Sequence, residues 1–228
     1  MNNKIEIIRT ENLEKIYQDD GVPVHALKGI NIKINKGDYV VIAGPSGSGK
    51  TTLLNLLGML DKPTKGRIFF ENDDISNKSK KELSDFRLHK FGFIFQAYNL
   101  IPVLTAMENI EFSMMLLGIG ERERRNRALQ LLDELGIGEL ADKRPNDMSG
   151  GQQQRVAAAR AIINNPSLVL ADEPTANLDS KTGENLLDMM KRLNEEKHIT
   201  FIFSSHDKLV IDRAERLFIL KDGLIAEE

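Results

Sequence analysis

Residues 44–52 read GPSGSGKTT, and their types and spacing suit one task, the wrapping of a phosphate chain. Gly47 and Gly49 let backbone N–H groups turn inward where a Cβ would block them. Lys50 is spaced to reach the β- and γ-phosphates of a nucleoside triphosphate, and the Thr51 hydroxyl is a natural Mg²⁺ ligand. Gly44, Pro45, Ser46, Ser48 and Thr52 complete the stretch. Far along the chain, Asp172 and Glu173 form an adjacent pair of carboxylates. Asp172 suits Mg²⁺, directly or through its waters, and Glu173 suits the orientation and deprotonation of an attacking water. His206 is placed to hydrogen-bond a γ-phosphate oxygen. Together these groups describe phosphoryl transfer to water.

Such groups need strand ends and helix starts to hold them. Tyr39 to Ala43 is an apolar, β-branched run that predicts a buried strand. It breaks into the glycine turn and then into LLNLL, a helix whose positive dipole end faces the same anion. Leu168 to Leu170 predicts a second buried strand, stopped at Pro174, with both carboxylates at its C-terminal edge. Ile199 to Phe203 predicts a third, ending in Ser204-Ser205-His206-Asp207. Phe91 to Gln96 is strand-like too, and a Gln at such an end is a candidate for reaching a ligand, because open α/β sheets bind ligands there.

Residues 4–9, 30–34 and 66–71 read as short strands with turns at Asp19-Asp20-Gly21 and Lys36-Gly37-Asp38. They predict an antiparallel sheet beside the loop strand. Tyr17, between the first strand and the turn, either stacks on a base or is a half-buried strand residue. Residues 78–89 have Leu83 and Phe86 at helical spacing and predict a solvated helix. From Leu104 to Ala161 the pattern is helical, with Glu121 and Glu123 four residues before Arg125 and Arg127. Ala128, Leu131, Leu132 and Leu135 form one apolar face, ended by Gly136. Ser149-Gly150-Gly151-Gln152 opens an alanine-rich helix, as an ordinary N-cap or as a second anion site. A hairpin at Asp222-Gly223 follows the last strand. His25, His89 and His198 read as structural or exposed.

The 228 residues suit one domain, or one domain with an inserted subdomain, and are long enough to bury a sizeable core. A net charge of −3 with mixed signs argues against a nucleic-acid surface, so no nucleic-acid partner is expected. The chain has no cysteine, which removes disulfides and thiolate metal sites and fits the cytosol. Residues 1–13 lack a signal-peptide layout, and the longest apolar stretch, Phe112 to Ile119, is too short to span a bilayer. A membrane role is therefore expected to run through a partner.

As a set, these motifs resemble the nucleotide-binding subunit of an ATP-binding-cassette (ABC) transporter over essentially the whole chain. GPSGSGKT resembles its Walker A loop, Gln96 its Q-loop glutamine and a further Mg²⁺ ligand, and MSGGQQQR (148–155) its signature. LVLADE (168–173) is similar to Walker B with its catalytic glutamate, ANLD (176–179) to the D-loop, and His206 to the switch histidine. Tyr17 matches the aromatic that stacks on adenine. NLIPVLTAMENI, SGGQQQRVA and ADEPTANLD are most similar to the branch serving MacB-, LolD- and FtsE-type membrane partners. Departures are mild: Met148 where Leu is usual, Ala176 where this branch often has Gly, and Ser205 where Thr is common.

The resemblance implies an α/β fold: a P-loop NTPase (RecA-like) core with an antiparallel β subdomain, about 1–96 and 165–228, and an inserted helical signature subdomain, about 97–164. It implies an ATPase using ATP and Mg²⁺, with Glu173, Lys50, Gln96 and His206 as catalytic groups. Two copies are expected to stack head to tail, so that Ser149, Gly150, Gly151 and Gln152 of one chain meet the ATP held by Lys50 of the other, with Asp179 communicating between sites. The implied setting is the cytoplasmic face of the inner membrane. Permease subunits, with a periplasmic adaptor in some systems, are the implied partners, and the implied task is export or extraction of a lipoprotein, peptide or small amphiphile. An FtsE-like regulator of a cell-envelope hydrolase, or a soluble ABC ATPase, are the alternatives. Coupling to the permease is expected around Gln96 to Phe112 and MMLLGI (114–119), with Tyr98 and Leu100 as surface positions.

Overall fold

A computed structural model describes residues 5–19 and 22–227. In chain order the elements are β1 (Glu6–Asp19), β2 (Val22–Ile30), β3 (Lys33–Asn35), β4 (Tyr39–Ala43) and α1 (Lys50–Leu57). Next come β5 (Lys65–Phe70), β6 (Asp73–Asp74), α2 (Lys80–Lys90), β7 (Phe91–Ile94), α3 (Ala106–Leu116), α4 (Glu121–Glu134) and α5 (Gly150–Ile162). The chain continues through β8 (Leu168–Asp172), α6 (Ser180–Lys197), β9 (Thr200–Ser205), α7 (Lys208–Ile211), β10 (Arg216–Lys221) and β11 (Leu224–Glu227).

A six-stranded sheet runs β11-β10-β4-β9-β8-β7, parallel throughout except for the β10–β11 hairpin. Its central strands are buried on both faces, as parallel strands covered by helices must be. Alternation along them divides the core. Tyr39, Val41, Ala43, Val169, Ala171, Phe201 and Phe203 face the helices α3 to α6, whereas Val40, Ile42, Leu168, Leu170 and Ile202 face α1 and the second sheet. The helical stretch has no core of its own: Ile110, Met114, Leu132 and Val156 belong to the same apolar cluster as Tyr39 and Phe203. The architecture is the α/β P-loop fold. Among the described residues, no helix is long and apolar enough to cross a membrane.

The second sheet is antiparallel, in the order β2-β1-β5-β6 with β3 also on β1. It departs from the sequence expectation in two places. The first strand does not stop at residue 9 but runs to Asp19 through two irregularities in register, so Tyr17 lies within it, opposite Val24. The stretch 30–34 is not one strand. The Thr10 hydroxyl donates to Ile30 O and accepts from Ile32 N, filling the gap along β1 between its pairing with β2 and its pairing with β3. Lys4 and the Asp20-Gly21 part of the expected turn lie outside the described residues. The expected helix over 78–89 is α2, opened by a reciprocal Ser79–Glu82 capping box.

Candidate functional site

The loop after β4 turns sharply into α1. Gly49 caps the helix in the left-handed region at φ 105°, and a Cβ there would lie 2.6 Å from Ala26 O. Only glycine fits both the dihedral and the approach. No side chain caps α1, so its first N–H groups are left for an anion. Lys50, buried at 7% exposure, donates from Nζ to the carbonyls of Gly44 (2.8 Å) and Pro45 (3.1 Å), closing the loop on itself. Ser48 is also buried, so within this loop it is Ser46, Gly47, Gly49, Lys50, Thr51 and Thr52 that line the adjoining cavity.

The parallel register brings the ends of β8 and β9 beside this loop. Thr51 Oγ1 donates to Asp172 Oδ1 at 3.2 Å, and the Ser204 hydroxyl donates to the same oxygen. A hydroxyl and a carboxylate converging beside a phosphate-type loop are hard oxygen donors that fit Mg²⁺, which takes few protein ligands and keeps phosphate oxygens and water. Glu173, one residue past β8, sits at φ 45°, with its N–H donating to Ser204 O. Its Oε1 lies 2.8 Å from His206 Nδ1 and 3.9 Å from Lys50 Nζ, while Oε2 accepts from the Ser205 hydroxyl at 3.0 Å. Thr175 and Asp207, each two residues further on from Glu173 and Ser205, are joined by a 2.9 Å bond that ties the two turns together.

Of these groups, Lys50, Thr51, Glu173 and His206 line a cavity of about 680 Å³ with Tyr17, Gln96 and Ala176, whereas Asp172 does not line it and adjoins it through Thr51. Gln96 lies two residues beyond β7, not at its end, and is exposed. Six cavity residues escaped the sequence reading as site residues: Asp222 and Gly223, read only as a hairpin turn, and Val24, Ala26, Lys28 and His25, the last read as structural or exposed. The latter four come from β2, which packs beside α1, and the first two from the turn between β10 and β11.

Ser149, Gly150, Gly151 and Gln152 do not line this cavity. Ser149 caps α5 in a reciprocal box with Gln152, so the turn is an N-cap whatever else it does. Its glycines are needed for packing: a Cβ on Gly150 would lie 2.7 Å from the Tyr98 hydroxyl, and one on Gly151 2.4 Å from Thr182 Cγ2. Asp179 caps α6, accepting from Thr182 N and Oγ1, and these bonds hold its carboxyl below the usual carboxylate range. Tyr98 and Asn99 both adopt positive φ, and Arg160 of α5 donates to the carbonyls of both. Asn177 donates to Gln96 O at 3.0 Å. Tyr98, expected as a surface position, is half-buried, with its hydroxyl against the Ser149 turn. Arg160 and Asn177 had no local signal, since their partners lie 62 and 81 residues away.

The family model described as "ABC transporter" matches residues 27–176. An ABC transporter ATP-binding protein of Thermotoga maritima is 44% identical over 96% of this chain and 94% of its own length. Another, from Methanocaldococcus jannaschii, is 46% identical over 97% and 96%. The macrolide export ATP-binding/permease protein MacB of Syntrophobacter fumaroxidans is 44% identical over 98% of this chain, which spans 32% of that relative. Among solved structures, the dimeric form of the ABC transporter cassette MJ0796 superposes with a TM-score of 0.91, at 44% identity over 97% of each chain. The same cassette in a dimeric post-hydrolysis state, bound to ADP and Pi, gives the same TM-score.

Proposed function

Because this chain belongs to the ABC transporter family, as an ATP-binding cassette of the MacB-like branch, we propose that its ATPase site is built from the residues gathered around Lys50 and Glu173. The observation that carries the reading is their network: Glu173 Oε1 stands 2.8 Å from His206 and 3.9 Å from Lys50. A carboxylate so placed beside a phosphate loop accepts the proton of a water attacking the γ-phosphate in line. Lys50 exchanges its two carbonyl partners for phosphate oxygens and stabilises the charge that develops on them. His206 holds the γ-phosphate, and Gln96 reaches it from across the cavity. Thr51 and Asp172, with Gln96, would hold Mg²⁺, which would supply charge neutralisation on the phosphates. Tyr17 carries the base.

The Ser149–Gln152 turn lies away from the cavity of its own chain, which supports a role toward the nucleotide of a second copy stacked head to tail, with Asp179 at the seam. Permease subunits of the MacB or LolD type are the membrane partners in this reading. They hold the cassette at the cytoplasmic face of the membrane, with a periplasmic adaptor beyond, and the substrate class is a lipoprotein, peptide or small amphiphile. A groove of about 400 Å³ lined by Leu60, Leu88, Phe93, Phe95 and Leu116 suits a short helix of the permease.

Glu173→Gln keeps the shape and removes the base. The variant is expected to bind ATP, turn it over at least ~100-fold more slowly, and accumulate as an ATP-bound dimer by size-exclusion chromatography. Undiminished phosphate release would refute the assignment.

A further inference from the structure

We propose that Lys15 and Asp61 form a frame that fixes the Tyr17 ring as a platform for a purine base, and so set the affinity and base preference of the site. This rests on reading the cavity as the nucleotide site and Tyr17 as its base contact. Lys15 precedes Tyr17 by two positions in β1, whereas Asp61 follows α1, 44 residues from Tyr17. The Tyr17 hydroxyl donates to Asp61 Oδ2 at 2.9 Å. Asp61 Oδ1 accepts from Lys15 Nζ at 2.8 Å and from Lys62 N at 2.7 Å. Lys15 Nζ also donates to Lys62 O, and it lies 4.8 Å from the centroid of the Tyr17 ring. The ring is therefore held at its tip by a carboxylate and over its face by a cation.

Tyr17 is 38% exposed and lines the cavity, while Lys15 does not. The ammonium thus covers the ring from outside the cavity and leaves a face toward it. Two effects follow. A half-exposed tyrosine with a free rotamer would have to be ordered on binding, whereas this one is ordered by folding, so the cost is removed from the binding step. The ammonium also draws π density from the ring, so its open face stacks better on an electron-rich purine than on uracil. The charge states agree with this arrangement. Burial works to raise the Asp61 pKa, but the Lys15, Lys62 and Tyr17 hydrogen bonds outweigh it and leave the carboxyl below its usual range. Tyr17 is pushed above the usual phenol value, chiefly by burial, so it keeps the proton it donates.

The test compares Asp61→Ala, Lys15→Met, Lys15→Arg and Tyr17→Ala in the full chain, with MgATP, MgUTP and inorganic triphosphate as probes. Inorganic triphosphate has no base and reports the phosphate loop alone. Asp61→Ala and Lys15→Met are expected to raise the KM for ATP about threefold to fivefold, with kcat at saturation and triphosphate affinity unchanged. Lys15→Met should also narrow the preference for ATP over UTP, and Lys15→Arg should keep it. An unaltered KM for ATP in both frame variants, beside a weakened Tyr17→Ala, would overturn the frame alone. Equal losses for ATP and triphosphate would overturn it as well, since the damage would then lie in the loop. If Tyr17→Ala itself leaves ATP affinity unchanged, the base-platform reading fails with it.

Discussion

Glu173 occupies a backbone region that a glutamate enters at a cost of roughly 1–3 kcal/mol, and its surroundings show what holds it there. Its N–H is bonded to Ser204 O, and its two carboxylate oxygens are taken by Ser205 and His206. Ser205 does double duty, since the same hydroxyl oxygen accepts from Asp207 N at 3.1 Å. That links the carboxylate to the turn carrying His206. Ser205→Ala should therefore let the carboxylate swing without touching the phosphate loop. We expect kcat to fall about fivefold, the worth of one hydrogen bond of ~1 kcal/mol, while the KM for ATP stays constant. Ser205→Thr retains the hydroxyl and should keep the rate. Steady-state phosphate release separates these outcomes.

At the scale of elements, α3 does two jobs with two faces. Ala106, Met107, Ile110 and Met114 are buried in the shared core, whereas Phe112, Met115 and Leu116 are exposed at 38%, 47% and 58%. Leu116 lies on the groove proposed for the permease and does not line the nucleotide cavity. Leu116→Asp is expected to abolish transport in reconstituted vesicles and leave basal ATPase activity within about twofold of wild type. Transport that survives this change would move the docking surface elsewhere. Local signals made much of this layer legible in advance. The 39–43 strand, the turn at Lys36-Gly37-Asp38 and the helix at Ser149 all carry their cause within a few residues. β2 was not legible, because Pro23 lies within it and a proline argues against a strand unless the strand is an edge, which β2 is. The later half of β1 was equally hidden, its pairing set by partners across the sheet and interrupted by irregular register. The same limit applies to the site. Loop, carboxylates and histidine announce themselves by type and spacing, but Asp61 and Arg160 act on residues dozens of positions away.

The molecule as a whole has one apolar core on each face of its parallel sheet, and the helical stretch shares the larger of them. The proposed division near residues 97 and 164 is therefore one of chain order, with the two parts packed on common side chains. If the site is completed by a second copy, lesions in its two halves should complement. Lys50→Ala and Ser149→Arg variants should each be inactive alone. Mixed in equal amounts they should recover about a quarter of wild-type turnover, since half the dimers are mixed and each keeps one intact site of two. No recovery would place both groups on one chain's nucleotide. The position of the Ser149 turn, outside the cavity that holds Lys50, has a further consequence. If a second copy completes the site, dilution alone would act as an inhibitor: specific activity is expected to fall as free chains thin out and encounters grow rare. A scaffold that tethers two copies replaces their bulk concentration with a far higher local one. On the proposed reading, a membrane partner that holds two copies would raise the ATPase rate by that tethering alone.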